Sequence, residues 1–277
     1  MTILLTNDDG YQSDGLAAAR EAMLKAGLRV ITVAPDGPRS GNSRAATFRR
    51  PVRVDLVGGD DANPIYACDG TPVDCVRVGL MSDLAHEAAV VVSGINEGAN
   101  LGDDTTYSST FGAAVEGALL GIAGIAVSQQ SRDRRFRLVD RTGYDWETSG
   151  AVTAELARLA LDTPLPARTV VNANAPGIAP TAGTAVTRLG RRAYRRGGLE
   201  TATTEHGHGY YTFHVNLDTD PPIHDEDGTD FAALNEGRVA LTPVSYAWGR
   251  PEVFGQVEQW AQEAAARVDT ALRIAHA

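Results

Sequence analysis

Cysteine is nearly absent: Cys68 and Cys75 are the only two in 277 residues. That excludes a disulfide-stapled scaffold and fits a reduced compartment. No stretch approaches the run of about 20 apolar residues that a membrane-spanning helix needs. No basic-then-apolar leader precedes the first apolar segment. Positive charge is short as well, with 25 Lys and Arg against 35 Asp and Glu and a net charge of -10. Such a chain is a poor partner for nucleic-acid polymers or anionic membranes, although a local cationic pocket or a metal ion can still hold a phosphate. Missing too is a Gly-x-Gly-x-x-Gly after the first apolar run, which argues against a dehydrogenase. A cytoplasmic globular protein is expected.

The stretch that organises the rest is MTILLTNDDGY at the start. Thr2 to Thr6 reads as a buried strand, cut off by a turn at Asn7-Asp8-Asp9-Gly10. In an extended strand Asp8 and Asp9 point to opposite faces. A turn eased by Gly10 brings both toward one point at the carboxyl end of the strand, the edge where open α/β sheets bind ligands. Taken alone, the stretch reads more simply as a solvated Asx/Gly turn.

Strand–helix–strand alternation follows. Ser13-Asp14 starts a helix, Leu16, Ala19, Met23 and Ala26 recur at helical spacing, and Gly27 stops it. Arg29 to Ala34 is the second strand, so a parallel sheet with right-handed crossovers is expected. Val52 to Val57 and Ile65 to Ala67 read as strands around a Gly-Gly-Asp-Asp turn. Thr71 suits an N-cap, Pro72 the first helical position and Asp74 the first turn, with Cys75 a small core residue. Ala88 to Val92 is an apolar strand, Ser93 to Thr110 a long loop, and a helix rich in small residues comes next. Further strands are expected over 124–128, 169–174 and 238–242, with helices over 144–161 and 253–275 and a short one capped by Thr229-Asp230. From Arg188 the character shifts toward a protruding hairpin followed by an acidic loop over 218–228.

Three polar loops therefore follow strands of one sheet, and they carry Asp8 and Asp9, Ser40, and Asn96. This set is all oxygen, without thiolate or imidazole, and suits a hard divalent ion such as Mg²⁺, Mn²⁺ or Ca²⁺ rather than zinc. An open site of that kind activates water and neutralises charge on a transferring phosphoryl group. Tyr107-Ser108-Ser109-Thr110 sits where the chain enters a helix. Its hydroxyls and free amides make an anion site there, or they simply cap the helix.

Taken together, ILLTNDDG, VAPDGPRSG, GTPVDCV and VVSGINEGANLGDDTTYSSTFGAAVEG resemble the SurE family of survival-protein nucleotidases. VNANAPG, VTRLGRRAY and GTDFAALNEG followed by LTP agree, so the resemblance covers nearly the whole chain. It implies a Rossmann-like core over 1–187, with a mostly parallel sheet between helices. It implies a smaller part over 188–277 with an extended β-hairpin arm and a C-terminal helix, elements exchanged between subunits of homodimers or homotetramers. It also implies hydrolysis of nucleoside 5′(3′)-monophosphates or other phosphomonoesters, with one Mg²⁺ or Mn²⁺ per subunit. The family's metal ligands fall on Asp8, Asp9, Ser40 and Asn96. Of these, Asp8, Asp9 and Asn96 are the candidate catalytic residues, and Asp8 is the first choice to activate water. Asn7, Gly41, Ser108, Ser109 and Thr110 fall in the phosphate-facing region.

Two departures stand out. Arg44-Ala45 replaces the family's Asn or His followed by Ser, and Ser109 replaces a glycine. Arg44 is a candidate bidentate phosphate contact, and its presence motivates an alternative substrate, a specialised phosphate ester. A non-catalytic nucleotide- or metal-binding protein on the same scaffold is the other alternative. His206, His208 and His214 lack companion ligands and read as arm or interface residues rather than a zinc site. The pairs Arg191-Arg192 and Arg195-Arg196 read as hairpin-surface charge.

Overall fold

The computed structural model describes residues 1–136, 143–180, 182–193, 199–203, 209–213, 222–246 and 254–275. The alternation gives strands β1 (Thr2–Thr6), β2 (Arg29–Pro35), β3 (Val54–Gly59), β4 (Pro64–Cys68), β5 (Ala88–Glu97), β6 (Ala123–Gln129), β7 (Thr169–Ala175), β8 (Thr184–Val186), β9 (Leu199–Thr203), β10 (Gly209–Phe213) and β11 (Val239–Ser245). The helices are α1 (Asp14–Lys25), α2 (Pro72–Met81), α3 (Ser109–Leu119), α4 (Trp146–Asp162), α5 (Asp230–Asn235) and α6 (Phe254–Ala275).

A mostly parallel sheet of order β3-β4-β2-β1-β5-β6-β7-β11-β8 forms the core. Among the described strands of this sheet, only the β3–β4 and β7–β11 pairs are antiparallel. Alternating side chains explain why β1 lies in its middle. Ile3 and Leu5 join a cluster with Leu16, Leu156 and Trp260, from α1, α4 and α6. Leu4 turns to the opposite face, with Val33, Cys75, Val76 and Ala113 beneath α2 and α3. A strand buried on both faces needs the unbroken apolar run seen in the sequence. Burying one such leucine stabilises the fold by about 1.5–3 kcal/mol. Helix α2 begins with the expected capping chemistry, a reciprocal box between Thr71 and Asp74 with Pro72 at the first position.

From β1 the chain builds outward in two directions, to β2 and β4 on one side and to β5, β6 and β7 on the other. The order reverses between β1 and β5, and the crevice at their carboxyl ends is where such sheets receive ligands. β9 and β10 form a separate two-stranded antiparallel sheet.

Two expectations need correction. The segment after Val92 is only partly loop: β5 continues to Glu97, and Gly102–Thr106 is a 3₁₀ turn, with irregular backbone over 98–101 and 107–108. The register against β6 slips between Ser93 and Asn96, after which Asn96 pairs with Ser128. Gly94, at φ +136, lies where a Cβ would meet Val127 O at 2.2 Å, so the irregular stretch requires glycine. Polar, glycine-rich sequence thus conceals strand pairing supplied by β6.

Nor is Arg192 surface charge. It is 5% exposed, and its Nε donates to Asp104 Oδ2 at 2.9 Å. Its guanidinium stacks 5.0 Å from the Phe231 ring centroid. Burial on its own raises the Asp104 carboxyl, and Arg192 opposes that shift. Arg191 is exposed and pairs with Glu226 of the acidic loop. Arg195, Arg196, His206, His208 and His214 lie outside the described residues.

Candidate metal and phosphate site

Asp8 and Asp9 lie just past the end of β1, after Asn7. Gly10, at φ +103, turns the chain. Asn7 Nδ2 donates to Gly10 O at 3.0 Å and to Ser13 Oγ at 2.7 Å. Ser13 is also the N-cap of α1, so the turn and the helix start form one unit. The Asn7 donors are spent inside that unit, and its buried Oδ1 has no hydrogen-bond partner among the described residues.

Asp8 is 3% exposed. Thr110 Oγ1 donates to Asp8 Oδ1 at 2.5 Å. Burial raises the Asp8 carboxyl above the usual range, and the Thr110 hydrogen bond opposes that shift. Asp9 Oδ2 accepts the Glu97 amide at 3.3 Å. Burial, followed by the Asp8 charge, pushes Asp9 up to about 7. Carboxylates placed this way resist ionising together unless a positive charge joins them.

The Ser40 loop is drawn over this point. Arg39 N–H donates to Asp8 O at 2.6 Å, and Ser43 N–H donates to Tyr107 O at 3.1 Å. Gly112 permits the approach, because a Cβ there would lie 2.6 Å from Ser43 O. Ser40 itself is exposed. Gly41, at φ +76, has open space around it. Asn96 uses Nδ2 on Gly98 O at 2.7 Å, which leaves Oδ1 as the atom to meet a ligand.

Ser108 caps α3, its Oγ accepting Phe111 N–H at 3.1 Å. The first intrahelical bond runs from Gly112 N–H to Ser108 O. The Ser109 and Thr110 amides therefore precede the ladder, at the positive end of the helix dipole. The three consecutive hydroxyls are already engaged: Ser108 on the cap, Ser109 on the Ser40 loop and Thr110 on Asp8. An anion at this helix start meets amides first.

Arg44 Nη1 pairs with Glu116 Oε2 at 2.7 Å, and Arg77 Nε takes the other oxygen at 2.7 Å. Glu116 is 2% exposed, whereas both arginines are substantially exposed. Glu116 was missed in the sequence, although a lone acid inside GAAVEGALL is a signal, because an unpaired buried charge is costly. Thr110 reaching Asp8, and the Glu97 and Arg39 amides, carry no comparable sequence signal.

The donors fit a hard divalent cation: two carboxylates, an amide oxygen and a hydroxyl. Among the described residues no group of three His, Cys, Asp or Glu could hold a metal, so a cation at Asp8 and Asp9 depends on neutral oxygens for its remaining ligands. The orphaned Asn7 Oδ1 beside Asp8 also suits a site completed by a bound species.

Residues 3–196 match the family model "Survival protein SurE". The chain is 44% identical over 265 residues to 5′-nucleotidase SurE of Rubrobacter xylanophilus, covering 94% of this chain and 97% of that protein. It is 40% identical over 247 residues to 5′-nucleotidase SurE of Geobacter sulfurreducens, covering 88% and 87%. The crystal structure of the SurE protein from Aquifex aeolicus superposes with a TM-score of 0.72 at 34% identity, covering 93% of this chain and 100% of that one.

Proposed function

The chain belongs to the SurE family, and from that premise we propose that it is a metal-dependent phosphomonoesterase hydrolysing nucleoside 5′(3′)-monophosphates to nucleoside and phosphate. The observation that carries this reading is the pair of adjacent carboxylates at the β1–β5 crevice, bound through Thr110 to the start of α3. Asp8 and Asp9 hold one Mg²⁺ or Mn²⁺, with Ser40 and Asn96 as the neutral ligands. When bound, that ion supplies Lewis acidity and charge neutralisation at the phosphoryl group.

The residues around it have separable tasks. Thr110 occupies Asp8 Oδ1 and leaves Oδ2 to meet the cation or accept a proton from the attacking water. The Ser109 and Thr110 amides hold phosphoryl oxygens, and they require no rearrangement at the moment of reaction. Gly41 lets the loop backbone approach the same oxygens. Asn7 holds the turn that presents both carboxylates.

In this reading residues 1–187 carry the chemistry. Residues 188–277 supply the hairpin and α6 that join subunits into a homodimer or homotetramer in the cytoplasm. No described helix is long and apolar enough to cross a membrane.

The test is phosphate release from a panel of nucleoside monophosphates, sugar phosphates and other esters, with Mn²⁺, Mg²⁺ or chelator, beside Asp8→Asn. Release that requires metal and is lost in Asp8→Asn is expected. Turnover of nucleotides in chelator at the same rate would overturn the reading.

A further inference from the structure

We propose that Ser109 is a positioning residue for the metal site: its buried hydroxyl fixes the loop that carries Ser40 against α3 and so sets Ser40 against the cation held by Asp8 and Asp9. The inference rests on the ligand assignment just given.

Ser109 is 0% exposed. Its Oγ accepts Asn42 N–H at 2.9 Å and donates to Arg39 O at 3.1 Å. Those two backbone groups flank Ser40, one residue before it and two after. A hydroxyl has one proton to give, and here that proton is spent on Arg39 O. The Ser109 side chain therefore has no donor left for a phosphate oxygen.

The loop needs such a tether. Gly37 and Gly41, either side of Ser40, have much backbone freedom to lose on ordering. Gly41 and Ser43 adopt φ +76 and φ +50, the latter unusual for a residue with a side chain. Arg39 N–H on Asp8 O ties one end of the segment to the carboxylate turn. Ser109 ties both sides of Ser40 to the helix whose next residue, Thr110, holds Asp8. Two consecutive side chains of α3 thus govern two different metal ligands, one through backbone and one directly. The glycine that the resembled motif carries at this position has no side chain for the first task.

The measurement is Mn²⁺ affinity by calorimetry on metal-free protein, with the thermal midpoint of each metal-free form recorded alongside. The variants are Ser109→Gly, Ser109→Ala, Ser40→Ala, Asp8→Asn and the double variant Ser40→Ala/Ser109→Ala. Outer-shell partners of metal ligands typically contribute roughly tenfold or more to affinity. A weakening of about tenfold is expected for Ser109→Gly and Ser109→Ala. In the Ser40→Ala background the Ser109 change should then have no further effect, because both act through one ligand.

A Ser109 effect that persists undiminished in the double variant would overturn the proposal. So would unchanged Mn²⁺ affinity with a lowered thermal midpoint, the signature of a purely structural bond. Loss of binding in Asp8→Asn with none in Ser40→Ala would instead remove Ser40 from the ligand set, and the inference would fall with that assignment. Ser109→Gly keeps the test interpretable if Ser109→Ala folds poorly, since glycine is the residue of the resembled motif.

Discussion

Thr110 Oγ1 and Asp8 Oδ1 lie 2.5 Å apart although 102 positions separate them in the chain. A hydroxyl donating to a carboxylate makes one of the stronger hydrogen bonds available to a protein. Thr110→Val keeps the shape and deletes only the donor. Mn²⁺ affinity is expected to fall about tenfold or more, with kcat reduced and the circular dichroism spectrum unchanged. Thr110→Ser retains the donor and should retain most of the affinity. Equal losses in both variants would show that the hydroxyl is not what matters.

Glu116 gives a second test. A buried carboxylate shared by two half-exposed guanidiniums keeps a partner when either is removed. Arg44→Ala and Arg77→Ala should each cost about 1 kcal/mol or less, as exposed partners do. Removing both strands the charge, a change that costs roughly 3–5 kcal/mol in other proteins. Urea titration of the two single variants and the double variant should therefore show a loss well above the sum.

Arg44 gives a third test, of substrate choice. If its exposed edge touches substrate, Arg44→Ala raises KM for the preferred ester severalfold and leaves Mn²⁺ affinity unchanged. An unaltered KM across the ester panel would confine Arg44 to its contact with Glu116.

The Asp230 carboxyl accepts the Gly102 amide at 2.7 Å and the Gly190 amide at 2.8 Å. Burial nevertheless pushes it up to about 6, from an ordinary value of 3.8. A folded-state value above the unfolded one favours the folded form most below pH 3.8, and that contribution is lost as pH rises through 6. Stability of the wild type relative to Asp230→Asn should decline between about pH 4 and pH 6, by roughly 3 kcal/mol at most. A flat difference across that window would show that Asp230 titrates normally.

How much of this was legible depended on how far the partners lie apart in the chain. The α2 capping box needs only Thr71 and Asp74, three positions apart, and the sequence displays it. The alternation of Ile3, Leu4 and Leu5 between two faces is equally local. Asn96 as strand was hidden, because its pairing comes from Ser128 in β6. Arg192 looked like solvent-facing charge because Asp104, its partner, is 88 positions away. The hydroxyls at 108–110 were visible as a group, but only the folded chain assigns each its acceptor. Residue types pointed to a site; the division of labour within it came from contacts between distant segments.

Arg192 and Asp230 have a further consequence for what can be cut away. Arg192 N–H donates to Asp103 Oδ2 at 2.7 Å, and its side chain neutralises Asp104. Asp230 takes the Gly102 amide. The turn that leads from Asn96 into α3 is thus held by residues the chain reaches only after position 187. A fragment ending there would retain every candidate ligand and still leave Asp104 without its cation and Gly102 without its acceptor. The last third of the sequence thus braces the candidate site from outside it, and a cut after 187 is expected to loosen that edge of the sheet as well as remove α6.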